Sequence, residues 1–315
     1  MTSQGLGKGE SIHDLIAKSR NRKAKKITEK AMPALLFITA FISVLTTIAI
    51  VFTLIFETFE FFRRVSLTDY LFGTEWLPFS GNNPTFGILP LILGTVKVTL
   101  IAVLVAVPIG IAAAIYLSEY ASDKARRVIK PILEVLAGVP TIVYGFFALT
   151  FVTPILQQLI PSLKIFNALS PGIVVGIMII PMIASLSEDA MSSVPNSIRE
   201  GALALGATKF EVAIKVILPA AFSGIMSSIV LAISRALGET MIVSLAGGAS
   251  PTFDFNVTGS IQTMTAYIVQ VSSGDAGYGT TIYYSIYAVG FTLFIFTLMM
   301  NLLAHFIFKR FREEY

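Results

Sequence analysis

Two groups of residues have types and spacings suited to chemistry. In the apolar stretch 220–246, Arg235 and Glu239 stand four residues apart with Gly238 between them. On a continuous helix that spacing puts both side chains on one face. A single ionised group in hydrocarbon costs about 2.5–3.5 kcal/mol, so a cation and a carboxylate on one face offset each other. The planar N–H fork of a guanidinium matches the oxygens of an oxyanion, and a nearby carboxylate would hold the fork in place and temper its charge. A plain ion pair between helices fits the same two residues, and the residues alone leave both readings open. The second group is the segment 199–219. Small residues at Gly201, Ala202, Ala204, Gly206 and Ala207 follow Glu200 and alternate with the larger apolar Leu205, Phe210 and Val212. A short helix of this kind can seat closely in a partner's groove and pass on a rigid displacement. An ordinary amphipathic connector is the alternative, with Gly206 ending the helix in either case.

Other chemistry is excluded by composition. There is no cysteine, and the two histidines, His13 and His305, sit near opposite ends, so thiolate sites and a histidine metal cluster are not expected. No GxxxxGK[ST] phosphate loop occurs, so the chain is not expected to hydrolyse nucleotide or to bind a cofactor itself.

The elements that must position these residues are membrane spans. Hydrophobic residues make up 55% of the 315 and charged residues only 13%, about half the charge of a soluble domain. Six apolar stretches are predicted as transmembrane helices, over 32–56, 87–117, 132–156, 172–186, 220–246 and 283–308. The fourth is short and can borrow residues at either end. The expected class is therefore an all-α integral membrane protein, with a basic tail over residues 1–31 and a membrane domain over 32–315. With both termini in the cytoplasm, eighteen Lys and Arg fall on that side and three on the other, which favours cytoplasmic N- and C-termini. The basic tail reads as a retained cytoplasmic flank, not as a nucleic-acid arm. Lys97 is expected near the outer end of the second span, either snorkelling to the interface or drawing anions to an entrance. Glu119 and Glu134 are expected to pair on the surface with Arg126, Arg127 and Lys130. Gly172 and Gly176 form a GxxxG suited to a close helix contact. The long connection 247–282 includes a mildly amphipathic stretch, 261–269, that either packs on the spans or forms an external lip.

The run Arg199-Glu200-Gly201-Ala202-Leu203-Ala204-Leu205-Gly206, continuing to Val216-Ile217-Leu218-Pro219, resembles the EAA loop of ABC-importer permeases. Glu200, Ala202, Gly206, Leu218 and Pro219 match at the family's spacing, while Gly201 and Val216 depart from it slightly. The stretches 117–121, 130–134, 136–147 and 235–241 resemble phosphate-import permeases. Phe72-Gly73-Thr74-Glu75-Trp76 and Gly238-Glu239-Thr240-Met241 are similar to the PstC type. The resemblance implies a type I importer fold of the MetI-like kind in the bacterial inner membrane. It implies a PstA-type permease as the other half of the pore and a phosphate-binding protein outside. Inside, it implies a PstB-type ATPase homodimer that uses ATP-Mg. In that setting about 190–219 would be the ATPase-coupling loop, with Glu200, Gly201, Ala202, Leu205, Gly206 and Phe210 as its contacts. Arg235, Gly238 and Glu239 would line the substrate pathway.

Overall fold

The computed structural model describes residues 12–81 and 83–310, and side chains are described outside 12–30, 275, 305 and 307–310. Two of the flanking cations, Lys8 and Arg312, therefore lie outside the described residues. The chain divides into two units, Met1–Phe56 and Glu57–Tyr315. The described part of the first is helix: α1 (Ile12–Phe62) begins inside the segment expected as a basic tail and runs on past Phe56. Its portion Ala31–Phe62 is long and apolar enough to cross a bilayer.

The second unit is helical apart from one small ribbon. Helix α2 (Leu67–Phe72) is followed by β1 (Trp76–Leu77) and β2 (Thr85–Phe86), antiparallel with Trp76 opposite Phe86. Helix α3 (Leu89–Ile115) has Pro90 in its first turn, where a missing N–H leaves no bond unmade, and continues through a widened π turn to Tyr120. Helix α4 (Asp123–Ala137) starts from Ser122, whose hydroxyl accepts from the Ala125 N–H. Helix α5 (Thr141–Phe147) passes through a π turn into α6 (Thr153–Leu159). Then come α7 (Leu169–Ser192), α8 (Asn196–Ala204), α9 (Lys209–Val212), α10 (Leu218–Ala220), α11 (Phe222–Leu237) and α12 (Met241–Ala246). The last two are α13 (Met264–Gln270) and α14 (Thr281–Arg310).

Among the described residues five helical stretches can cross a membrane: Ala31–Phe62, Leu89–Tyr120, Thr141–Leu159, Leu169–Ser192 and Thr281–Ala304. The sixth is the bent pair Lys209–Ala220 and Phe222–Leu237, which meet at 72°. Two expected spans need correction. The third begins at Thr141, not at residue 132. Residues 132–137 belong to α4, whose charged side chains keep it amphipathic and without a fully buried residue, and Gly138-Val139-Pro140 separates it from the span. The fifth is not one helix over 220–246: it bends at Ala221, just after Pro219, and breaks again at Gly238.

Three buried clusters hold the second unit together. The central one joins α3, α7, α11 and α12 through Val98, Ala102, Val175, Ile179, Ala232 and Ile242. Here the GxxxG is a true close contact. A Cβ on Gly172 would lie 2.8 Å from the Ile101 side chain, and one on Gly176 would lie 2.9 Å from the Ala102 carbonyl oxygen. An aromatic box of Phe61, Tyr70, Trp76, Phe86 and Tyr267, mostly edge to face, forms the second cluster at the end of α3 where that helix begins. Residues 261–267 are buried against the spans, with the Met264 N–H donating to the Thr95 hydroxyl at 3.1 Å, so this stretch packs and forms no lip. The third cluster lies at the opposite end of α3 and α7, around Ala114, Met191, Val212, Ile217 and Ile225.

Gly176→Leu is expected to destabilise the protein by about 1–3 kcal/mol, because α3 and α7 must separate to admit it. The single tryptophan, Trp76, sits in the aromatic box and reports unfolding. A lower midpoint of its fluorescence transition in detergent checks the claim, and an unchanged midpoint contradicts it.

Candidate functional site

The segment 196–220 folds as a helix, a turn and a second helix whose two sides differ. Helix α8 closes in a Schellman turn: the Gly206 N–H donates to the Leu203 carbonyl at 2.9 Å and the Ala207 N–H to the Ala202 carbonyl at 3.2 Å. Gly206 takes φ 89°, a left-handed conformation that a side chain would strain. Thr208 then caps α9 reciprocally with Glu211. On the inner side, Ala202 and Ala207 rest against the cluster of Val194, Val212 and Ile217. On the outer side Glu200, Gly201, Leu205, Gly206 and Phe210 are exposed, with Leu205 at 92% and Phe210 at 66%. No atom lies within 4 Å of a Cβ built on Gly201 or Gly206, so the backbone there is open to close approach. Val212, the third of the larger apolar residues in this segment, faces inward at 2% exposure. It stands two residues beyond Phe210, about 200° around the helix, so the two cannot share a face.

The second candidate site is a helix break. Helix α11 ends at Leu237, Gly238 follows as its exposed cap, and α12 begins at Met241. Arg235 and Glu239 therefore do not share the face of one helix, and no ion pair joins them among the described residues. Arg235 is exposed in the last turn of α11, where the partial negative charge of a helix C-terminus favours a cation. Glu239 is buried and turned the other way. Its carboxylate accepts from the N–H groups of Met241 at 3.0 Å and Ile242 at 3.3 Å, capping α12. Its carbonyl accepts from the Thr265 hydroxyl at 2.7 Å, which ties the break to the start of α13.

Residues 106–313 match the family described as the binding-protein-dependent transport system inner membrane component. The chain belongs to this family. It is 34% identical over 249 residues to the probable ABC transporter permease protein YqgH of Bacillus subtilis (strain 168), covering 78% of this chain and 79% of that one. It is 32% identical over 262 residues to the phosphate transport system permease protein PstC of Xylella fastidiosa (strain 9a5c), covering 77% and 79%. A chain from the crystal structure of a bacterial ABC transporter involved in the import of the acidic polysaccharide alginate superposes with a TM-score of 0.64 at 15% identity, over 92% of this chain and 100% of that one. A chain of the inward-facing MetNI methionine ABC transporter gives 0.53 at 17%, over 72% and 95%. These structural likenesses concern the fold alone: this is a multi-pass membrane permease of the ABC-importer fold.

In this permease several ionic contacts differ from those expected on the surface. Glu188 of α7 is 0% exposed and takes Arg126 and Lys130 of α4, the latter at 2.8 Å; Lys130 also reaches Asp189 at 2.7 Å. Glu119 pairs instead with Arg199 of α8, Nη2 to Oε1 at 3.2 Å. Reading the sequence missed Glu188 and undervalued Arg199. The one available signal was a carboxylate near the end of an otherwise apolar span. Lys97 is buried at 6% and donates to Asp254 Oδ1 at 3.1 Å and to the Asn256 carbonyl at 3.2 Å. It neither snorkels nor stands free at an entrance; it pins the connection after α12 onto α3.

Burial raises the Asp254 pKa, but hydrogen bonds from Lys97 and the Asn256 N–H, together with the Lys97 charge, more than offset this and leave it below the ordinary 3.8. The bond therefore contributes stability above pH 3.8 and loses it as pH falls through the lowered value. Lowering the pH from about 7 through that lowered value is expected to reduce the protection of the amides over 254–258 in the unaltered permease, read as observed exchange relative to the intrinsic rate at the same pH. Asp254→Asn should show faster exchange already at neutral pH and a smaller further change. Equal pH responses in the two proteins would contradict this account.

Proposed function

We propose that this chain is the PstC-type membrane subunit of an ATP-driven importer of inorganic phosphate. In this reading both termini lie in the cytoplasm, and α8–α9 is the surface on which a separate ATPase homodimer acts. A PstA-type chain completes the pore, and a phosphate-binding protein delivers substrate from outside. The observation that carries the coupling role is the two-sided build of 196–212. The loop is anchored to the bundle by small residues within, and presents exposed Leu205 and Phe210 beside unobstructed glycine backbone without. A surface of that shape, free in the isolated chain, fits a groove on another subunit. The choice of phosphate is supported by relatives named as phosphate transport system permeases at 30–33% identity over 76–84% of the chain. The nucleotide chemistry, with its ATP-Mg, belongs to the partner ATPase. This chain contributes half of a path that opens alternately to each side.

Uptake of labelled phosphate in a strain lacking this gene is expected to return on expression of the chain with its partners, and to resist excess sulfate or molybdate. Competition by either oxyanion at equal concentration would reassign the substrate. Leu205→Glu puts a charge into the proposed apolar contact. It should abolish co-purification of the ATPase while leaving the thermal transition of the solubilised chain in place. Retention of the ATPase by Leu205→Glu and by Phe210→Glu would sink the coupling role.

Within the pathway, Arg235 is the proposed anion contact, Gly238 allows close approach of backbone at the break, and Glu239 holds the break in shape. Arg235→Ala should reduce phosphate uptake at least about tenfold, the loss of one charge-assisted hydrogen-bond partner, with the complex still assembled. Normal uptake by that variant removes Arg235 from the pathway.

A further inference from the structure

Helix α8 has no fully buried residue, and its inner face offers only the small Ala202 to the bundle. Apolar packing therefore gives a weak grip on the element that the proposed motor would push. One side chain makes up the difference. Arg199 Nη1 donates to the Val194 carbonyl at 2.6 Å and to Asn196 Oδ1 at 3.0 Å; Nη2 donates to the Met191 carbonyl at 2.6 Å; and Nε reaches Glu119 Oε1 at 3.3 Å. The carbonyls belong to the C-terminal turn of α7 and the residues just after it. Glu119 lies in the π turn that ends the α3 span. One guanidinium thus fastens α8 to the ends of two separate spans, and both the Arg199 and Glu119 side chains are largely withdrawn from solvent. Beside it a cavity of about 460 Å³, bounded by Ser118, Arg126, Ser192, Lys209 and Leu203, leaves the gap between α8 and α3 unfilled. Across that gap the Arg199–Glu119 pair links α8 to the end of the α3 span. The same end of α7 carries Glu188, which holds α4 through Arg126 and Lys130. Ions therefore bind α3, α4, α7 and α8 into one block.

We propose that Arg199 is a positioning residue for transport: it makes α8, α3 and α7 move as one body, so that displacement of the loop becomes displacement of the spans. This rests on α8–α9 being the ATPase-contacting surface. The fork geometry matters as well as the charge, since five donors in a plane serve two carbonyls and a carboxylate at once, and an ammonium on a flexible stem cannot reproduce that set. In contrast to Leu205 and Phe210, Arg199 points into the protein, so its loss should leave the docking face intact.

The test reconstitutes the whole complex in proteoliposomes and measures phosphate moved per ATP hydrolysed. For Arg199→Ala the ATPase should still co-purify and still hydrolyse ATP, while phosphate moved per ATP falls about tenfold, within the usual range of coupling between sites. Arg199→Lys keeps the charge and should not restore the ratio. Glu119→Gln cuts only the arm to α3 and should lower the ratio less, with assembly intact, which keeps the inference testable if Arg199→Ala fails to assemble. An unchanged ratio in Glu119→Gln, or full rescue by Arg199→Lys, overturns the inference while the docking role of the loop stands. If the unaltered chain binds no ATPase, the functional reading beneath it fails first.

Discussion

A backbone that leaves the helix inside an apolar stretch must find its hydrogen bonds within the protein, because lipid supplies none, and an unmet group there costs several kcal/mol. The breaks in this permease follow that constraint. Where α11 stops and α12 begins, the Glu239 carboxylate takes two of the freed N–H groups, and its carbonyl is met by Thr265. Where α13 begins, Thr263 takes the Ala266 N–H and Thr95 of α3 takes the Met264 N–H. The Thr265 hydroxyl thus ties one interruption to the other, while Thr95 ties the second to α3. A buried glutamate at 239 is explained by this capping without any appeal to a cation beside it. The widened turn at the α5–α6 junction is tied doubly: the Ala148 carbonyl accepts the Thr153 N–H and also the Thr153 hydroxyl, the latter at 2.9 Å.

The same solvent removes the hydrophobic drive between helices, so close packing and polar contacts must supply the cohesion of the bundle. Helices α3 and α7 show how. Gly172 and Gly176 let the Ile101 side chain and the Ala102 backbone approach to distances that any Cβ would forbid, and Gly110 does the same for Ile183. Between α7 and α11 the buried hydroxyls of Ser187 and Ser228 meet at 2.8 Å, and Gly224 admits Ala190. This tightly packed pair, α3 and α7, is also where the ionic block at the loop end is attached. A small rigid body at the end of a rigid frame is what a lever requires, and it follows from small residues in the spans and charged residues where the spans end.

How much of this was legible beforehand depended on whether the signal was local. Length of apolar run and the bias of Lys and Arg are local properties, so the number of spans could be read off. Gly206 as the end of α8 and the exposed Leu205 and Phe210 were legible too, because left-handed backbone and helical spacing act over a few residues. The boundary of the third span was not, since Ile132, Leu133, Val135 and Leu136 are apolar enough to extend a span, and only the bend at Gly138–Pro140 separates them from it. The break at Gly238 was hidden in the same way by apolar residues on both sides. The partners of Glu119, Glu188 and Lys97 lie 80, 62 and 157 residues away, and nothing along the chain orders those pairings.

Arg235 shows what remains when the pairing expected of it is withdrawn. A guanidinium within a span carries a penalty of about 2.5–3.5 kcal/mol. Its place in the last turn of α11 recovers about 0.3–1 kcal/mol, or up to about 2 in a partly buried setting, from the helix dipole. About 0.5–3 kcal/mol is left over, and Glu239 does not supply it because its carboxylate is committed to α12. Arg235 is exposed and has no ionic partner among the described residues. Water, a lipid headgroup phosphate, an anion or a polar face of a second subunit can each meet it. Of these, water, an anion and the polar face of a second subunit are what a path shared between two permease chains would contain. That no ion pair to Arg235 occurs among the described residues fits the proposed pathway better than the expected pair would have, since a cation already neutralised by its own helix has little left to offer a passing phosphate.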